Sequence, residues 1–345
     1  MRKERKRTIG TTLVALAILG VALVSSPNRP DWPSTFVTDR STKLQVIVQA
    51  RDMATAASAV RAAGGEILHE LDIIDAVGAR LTATAKAQLE RDDRVRKIYD
   101  DGLARVAGPS LPTEYPTLSR AQSLHAAGFK GYGVTVAVLD TGLWKHSDLI
   151  DDTASRFRVK AQYDTILHRL KPDAYKDGDY KRDVGDVSGH GTHVTGVLLS
   201  ARPHLGKYNG VAPDAGLVVV KAFAPDGHGL YSDVIRGINW IVTNRTTYNI
   251  RVLNCSFSAP VRSWYWEDPL NQAIMKAWQA GIVVVASAGN GGPGPMSVGV
   301  PGNNPYVITV GSMTDSYTPS NGSDDRLASF SAAGPTYEGF VKPDV

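Results

Sequence analysis

The sequence predicts an α/β fold built on a parallel sheet, preceded by a small α+β domain with a ferredoxin-like order of elements. Two patterns carry that expectation. Residues 43–107 read as strand, helix, two strands, helix, strand, the split βαβ order. From about residue 112, apolar strands alternate with helical stretches, the pattern of a parallel sheet with helices on both faces.

In the first domain, Leu44 to Gln49 is a strand, and Asp52 is placed to cap an alanine-rich helix that ends at Gly64-Gly65. Glu66 to Leu81 holds two short strands broken near Asp75. Thr84 to Arg91 is a second helix, and Val95 to Tyr99 a last strand. A proline-rich stretch, Ala107 to Pro116, follows as a boundary. In the second domain Gly133 to Leu139 is almost continuously apolar, as a strand buried on both faces requires. Further strands are expected at Leu217 to Lys221, Val252 to Phe257, Ile282 to Ala286 and Tyr306 to Val310. Helices are expected at His193 to Leu199, Ser232 to Val242 and Leu270 to Ala280.

The chain has 345 residues, 43% of them hydrophobic and 21% charged, which suits a folded protein of about two domains. The formal charge of +4 is concentrated in the first seven residues, where five basic side chains face Glu4 alone. The remainder is neutral, so no basic face argues for nucleic acid. Residues 1–26 combine that basic start with an apolar run from Thr8 to Val24. They read as a signal peptide or an N-terminal membrane anchor, the chain's one expected tie to a membrane, with residues 27–42 a polar linker. The expected location is extracytoplasmic, either secreted or tethered. The lone Cys255 excludes an intrachain disulfide, and its apolar surroundings favour a packed thiol over a nucleophile.

Three segments carry chemistry. Val138-Leu-Asp-Thr-Gly142 puts Asp140 at the end of a buried strand, where open α/β sheets bind ligands. Ser188-Gly-His-Gly-Thr-His-Val194 packs small residues around His190, and Ala286-Ser-Ala-Gly-Asn290 ends another strand on an amide. Acyl transfer to water needs these types of group. An imidazole takes the nucleophile's proton, typically contributing about 10²–10⁴-fold. A carboxylate fixes the imidazole's tautomer, and an amide donor meets the oxyanion.

Each segment has a rival reading. Asp-Thr-Gly also suits an aspartic protease, but no second copy exists. His190 and His193 lack the spacing and third ligand of a zinc site. Gly289-Asn-Gly-Gly-Pro-Gly294 matches a dinucleotide fingerprint, but Pro293, Pro295 and Pro301 forbid the helix it needs.

Together, in the order Asp then His, the three segments resemble the subtilisin-like serine proteases (peptidase S8). Gly210-Val-Ala-Pro213, Ile308-Thr-Val-Gly311, Ala328-Ser-Phe-Ser331 and Lys342-Pro-Asp-Val345 extend the resemblance from about Leu118 onward. It implies a serine endopeptidase precursor (a zymogen) acting on protein or peptide substrates, with Asp140 and His190 catalytic and Asn290 in the oxyanion hole. It implies a substrate cleft lined by Ser256, Phe257 and Ser258, with Ser258 standing where the family usually has glycine. It also makes residues 43–107 an inhibitory propeptide acting in cis, cut off between about Val106 and Tyr115, and residues 112–345 the peptidase domain.

No cofactor is implied for catalysis and no metal ligands are assigned. The acidic run Asp173 to Asp186 admits a structural calcium ion or a solvated loop. Asp186 itself is a candidate secondary cleft residue. The family's nucleophile motif, Gly-Thr-Ser, does not occur in residues 1–345, so the peptidase domain is expected to be truncated and this chain inactive. The alternative is a non-catalytic protein that binds peptides, or that inhibits or helps fold a protease.

Overall fold

The structure is a computed structural model describing residues 43–106, 115–171, 184–204, 207–316, 318 and 321–345. The expected export segment and linker, the expected cleavage region from Ala107 to Glu114, and Asp173 to Asp183 lie outside the described residues.

The first part contains β1 (Leu44–Ala50), α1 (Met53–Ala62), β2 (Glu66–Leu71), β3 (Ala76–Leu81), α2 (Ala83–Leu89) and β4 (Val95–Asp100). The strands form an antiparallel sheet in the order β2-β3-β1-β4. The Asp52 carboxylate accepts the Thr55 N–H at 2.7 Å and starts α1. The Thr82 hydroxyl does the same for α2, which therefore begins slightly earlier than the sequence suggests. Strand periodicity divides β1 between two cores. Val46 and Val48 pack with Ala56 and Val60 of α1, while Ile47 joins Leu71 and Ile74 in the core of the larger part.

After β5 (Leu103–Val106) come α3 (Tyr115–Leu118), α4 (Ala121–Ala126), β6 (Thr135–Asp140), α5 (Ser147–Ile150), β7 (Val159–Asp164), β8 (Arg169–Lys171), α6 (His190–Leu199), β9 (Pro203–His204) and β10 (Lys207–Tyr208). The chain continues with β11 (Gly216–Lys221), β12 (His228–Leu230), α7 (Tyr231–Asn244), β13 (Ile250–Cys255), β14 (Phe257–Ser258), α8 (Pro269–Gln279), β15 (Val283–Ser287), β16 (Ile308–Val310), β17 (Met313–Thr314) and β18 (Arg326–Leu327). Residues Lys43–Val345 form one compact unit.

Seven strands make the main sheet, in the order β16-β15-β13-β6-β11-β7-β8. Every pairing from β16 to β7 is parallel, and β8 runs antiparallel at the edge. All six residues of β6 are buried, which its apolar run foreshadows. One face of the sheet packs Val136, Val138 and Val219 against Leu199 of α6. The other packs Ala137, Leu139 and Leu253 against Ile235 and Ile238 of α7 and Ile274 of α8. Toward β15 and β16, Val283, Ile308 and Val310 are exposed among the described residues.

The strand expected at Val252 to Phe257 is two strands. β13 ends at Cys255, and β14 leaves the main sheet to pair with β5. Ser256 sits at the break, its hydroxyl accepting the Asn254 amide at 2.8 Å. β5 is the middle strand of a separate antiparallel sheet, β12-β5-β14. Phe257 anchors β14: its ring is fully buried and lies 4.9 Å from that of Phe223, centroid to centroid. Phe257→Ala is expected to destabilise the fold by about 3–5 kcal/mol, the usual cost of emptying a buried ring site. A urea-unfolding comparison at constant slope checks this, and a loss below about 1 kcal/mol would mean the ring is not part of the core.

Candidate active site

β6 delivers Asp140 to the carboxyl end of the sheet, where its side chain is 1% exposed. His190 is the first residue of α6. Its Nδ1 lies 2.7 Å from Asp140 Oδ1. A carboxylate only accepts, so Nδ1 carries the hydrogen and Nε2 is left as the basic nitrogen. The Thr141 N–H also donates to Asp140 Oδ1, at 2.7 Å.

Small residues make this approach feasible. Gly189 precedes the helix at φ +83°, a left-handed conformation that favours glycine. A Cβ on Gly191 would fall on the Gly142 carbonyl oxygen, so only glycine lets α6 come this close to the end of β6. Lys221, paired with Asp140 across β11 and β6, donates from Nζ to the carbonyls of Val184 and Gly185 at 3.1 and 3.0 Å. That fixes the loop leading into α6.

Asn290 follows β15 and is exposed. It lines a cavity of ≈ 640 Å³ together with Ser258, Gly289, Met296, Val298 and Tyr337. Among the described residues, no charged side chain lines this cavity. Of the cleft residues suggested by sequence, Ser258 faces it, whereas Phe257 is core and Ser256 is not among its lining. Ser258 is wedged against the opposite wall: a Cβ on Gly289 would lie 2.7 Å from its hydroxyl oxygen.

Asp186 is more deeply involved than a peripheral cleft residue. It accepts hydrogen bonds from Gly189, Thr192 and Thr141. Thr141 and Thr192 lie inside the Asp140 and His190 segments, but the sequence assigned them no role of their own.

His193 is exposed, with its Nε2 3.4 Å from the Tyr115 hydroxyl. Partial burial and then the neighbouring His190 lower its pKa. Among the described residues, no three His, Cys, Asp or Glu side chains stand together as metal ligands, and no helix is long and apolar enough to cross a membrane.

A profile of the Subtilase family (Peptidase_S8) matches residues 131–345. The chain is 35% identical over 281 residues to serine protease AprX of Bacillus subtilis (strain 168), covering 79% of this chain and 58% of that protein. It is 33% identical over 273 residues to subtilisin E of the same organism, covering 79% and 62% respectively. It thus spans roughly 60% of the length of these relatives. The fold resembles the crystal structure of fervidolysin from Fervidobacterium pennivorans, described as a keratinolytic enzyme related to subtilisin, with a TM-score of 0.61 and 23% identity. That match covers 86% of this chain and 47% of fervidolysin.

Cys255 ends β13, fully buried. Burial pushes its thiol well above the ordinary range, and the charge of Asp140 adds to the effect. The thiol is therefore expected to resist iodoacetamide at pH 8 in the folded chain and to react promptly in denaturant. Rapid alkylation of the folded chain would show that Cys255 is reachable and reopen its reading as a nucleophile.

Proposed function

This chain belongs to the subtilase family, and from that premise we propose that it carries the acid–base half of a serine endopeptidase, in precursor form. The observation that carries the reading is the 2.7 Å contact between a buried Asp140 carboxylate and His190 Nδ1. In this reading His190 Nε2 takes the proton of a hydroxyl nucleophile and returns it to the leaving amine, while Asp140 stabilises the imidazolium. The Asn290 amide donates to the oxyanion. Side chains suffice for this chemistry, and no cofactor is required. The hydroxyl that this base would serve is not assigned within residues 1–345.

Residues 43–107 are proposed as an inhibitory propeptide and residues 112–345 as the peptidase domain. What supports this is the pairing of β5 with β12 and β14. β14 carries Ser258, which borders the cavity beside Asn290. A substrate would use the same edges, since adding a strand satisfies their backbone groups. The substrates proposed are proteins or peptides, and the cavity's uncharged lining suits an uncharged side chain. The basic and apolar N-terminus supports export, with the peptidase domain outside the cytoplasm.

The test is to express this reading frame with the coding sequence that follows codon 345, and to measure casein hydrolysis. Activity that falls on the order of 10⁶-fold in His190→Ala is expected, the loss known for the histidine of subtilisin itself. Hydrolysis that survives His190→Ala would overturn the assignment. No hydrolysis at all would hand the lead to a peptide-binding or inhibitory role.

A further inference from the structure

Asp186 stands four residues ahead of His190, in the loop that enters α6. Its Oδ1 accepts the Gly189 N–H at 2.9 Å and the Thr141 hydroxyl at 2.8 Å. Its Oδ2 accepts the Thr192 N–H at 2.8 Å and the Thr192 hydroxyl at 2.6 Å. One carboxylate therefore joins the first turn of α6 to the residue beside Asp140. The Thr192 hydroxyl oxygen in turn accepts the Trp144 N–H at 2.8 Å, which ties in the strand-end loop after β6.

The Thr141 hydroxyl has a single hydrogen and two carboxylates within reach. Asp186 Oδ1 is 2.8 Å away and Asp140 Oδ1 is 3.2 Å away, so the nearer oxygen takes it. Thr141 Oγ1 meanwhile accepts the Gly191 N–H at 2.8 Å. Asp140 Oδ1 is left with the Thr141 N–H and His190 Nδ1. Without a charge at position 186, the hydroxyl would turn to Asp140. A third donor on that oxygen would weaken its hold on a protonated imidazole. The helix N-terminus acts in the same direction, since its partial positive charge of about half a unit opposes a cation on the first residue. A carboxylate bound to those N–H groups offsets it.

We infer that Asp186 is a positioning residue for His190: it fixes the first turn of α6 and draws the Thr141 hydroxyl proton away from Asp140. The inference rests on the reading of Asp140 and His190 as the acid–base pair. Burial by itself raises the pKa of Asp186, but the hydrogen bonds from Thr192, Thr141 and Gly189 outweigh it and hold the carboxyl below its ordinary 3.8. The folded-state value is thus depressed. The stabilisation is fully present above the unfolded value and is lost as pH falls through the folded one. The other groups around the pair are His193 one turn along α6, Lys221 at the end of β11, and the Cys255 thiol at the end of β13.

The experiment follows the His190 ring by ¹⁵N NMR as pH varies, in the chain of residues 1–345 and in three variants. In Asp186→Asn, the pH midpoint of His190 is expected to fall by about half a unit or more, a threefold loss of proton affinity. In Thr141→Val, which keeps both carboxylates, the midpoint stays at or above the native one. In the double variant, Asp186→Asn lowers it by less than it does alone, because the hydroxyl it would redirect is gone. An unchanged midpoint in Asp186→Asn overturns the inference, even if the variant melts earlier. Should that variant not fold, neutron diffraction of the native chain decides: a Thr141 deuteron aimed at Asp186 supports the inference, and one aimed at Asp140 overturns it. No substrate is turned over, so this outcome is independent of the casein assay.

Discussion

Asp140 is an ionisable side chain at the end of a strand buried on both faces, and removing a carboxylate from water costs several kcal/mol unless other groups replace the water. The local architecture supplies those groups at one oxygen, Oδ1. Thr141 turns its N–H back onto the carboxylate, and α6 starts where His190 can donate from Nδ1. Glycine at 191 permits the approach, and a left-handed glycine at 189 turns the chain into the helix. Remove the Asp140–His190 hydrogen bond and the buried carboxylate has lost a main partner, so the pair and the local fold depend on each other.

The sheet gathers these parts from distant stretches of sequence. β6 brings Asp140, its parallel neighbour β11 brings Lys221, and β15 leads to Asn290, all toward the carboxyl end of the strands. Lys221 holds the backbone of the loop that contains Asp186, and Asp186 holds the helix that begins with His190. The smaller α+β part packs on the opposite side of the sheet's helices. Its Asp101 accepts from the Ser232 N–H and hydroxyl at the start of α7. The same segment then runs on as β5, between β12 and β14.

Much of this is legible in the sequence because it is local. The apolar run ending at Asp140, the glycines around His190, and the Asp52 cap with its Gly64-Gly65 stop all declare themselves within a few residues. β5 does not. Leu103 to Val106 is short, borders a proline-rich stretch, and becomes a strand only because β12 and β14 flank it. The break at Ser256 is hidden for the same reason, since β14 is defined by its partner. Asp186 was visible as an acid near the histidine, but Thr141, which gives it meaning, is 45 residues away. Sequence likewise assigned Phe257 to the cleft. The structure buries its ring against Phe223, leaving Ser258 to face the cavity.

In the proposed acid–base pair, Asp140 orients the His190 ring for proton transfer before any nucleophile is considered. The ring ¹⁵N shifts of neutral His190, recorded above its titration, give the most direct test, because they report which nitrogen bears the hydrogen. A single neutral tautomer with the hydrogen on Nδ1 and Nε2 free is expected from the Nδ1 contact with Asp140. A ring protonated at Nε2, or averaged between the two forms, would contradict it.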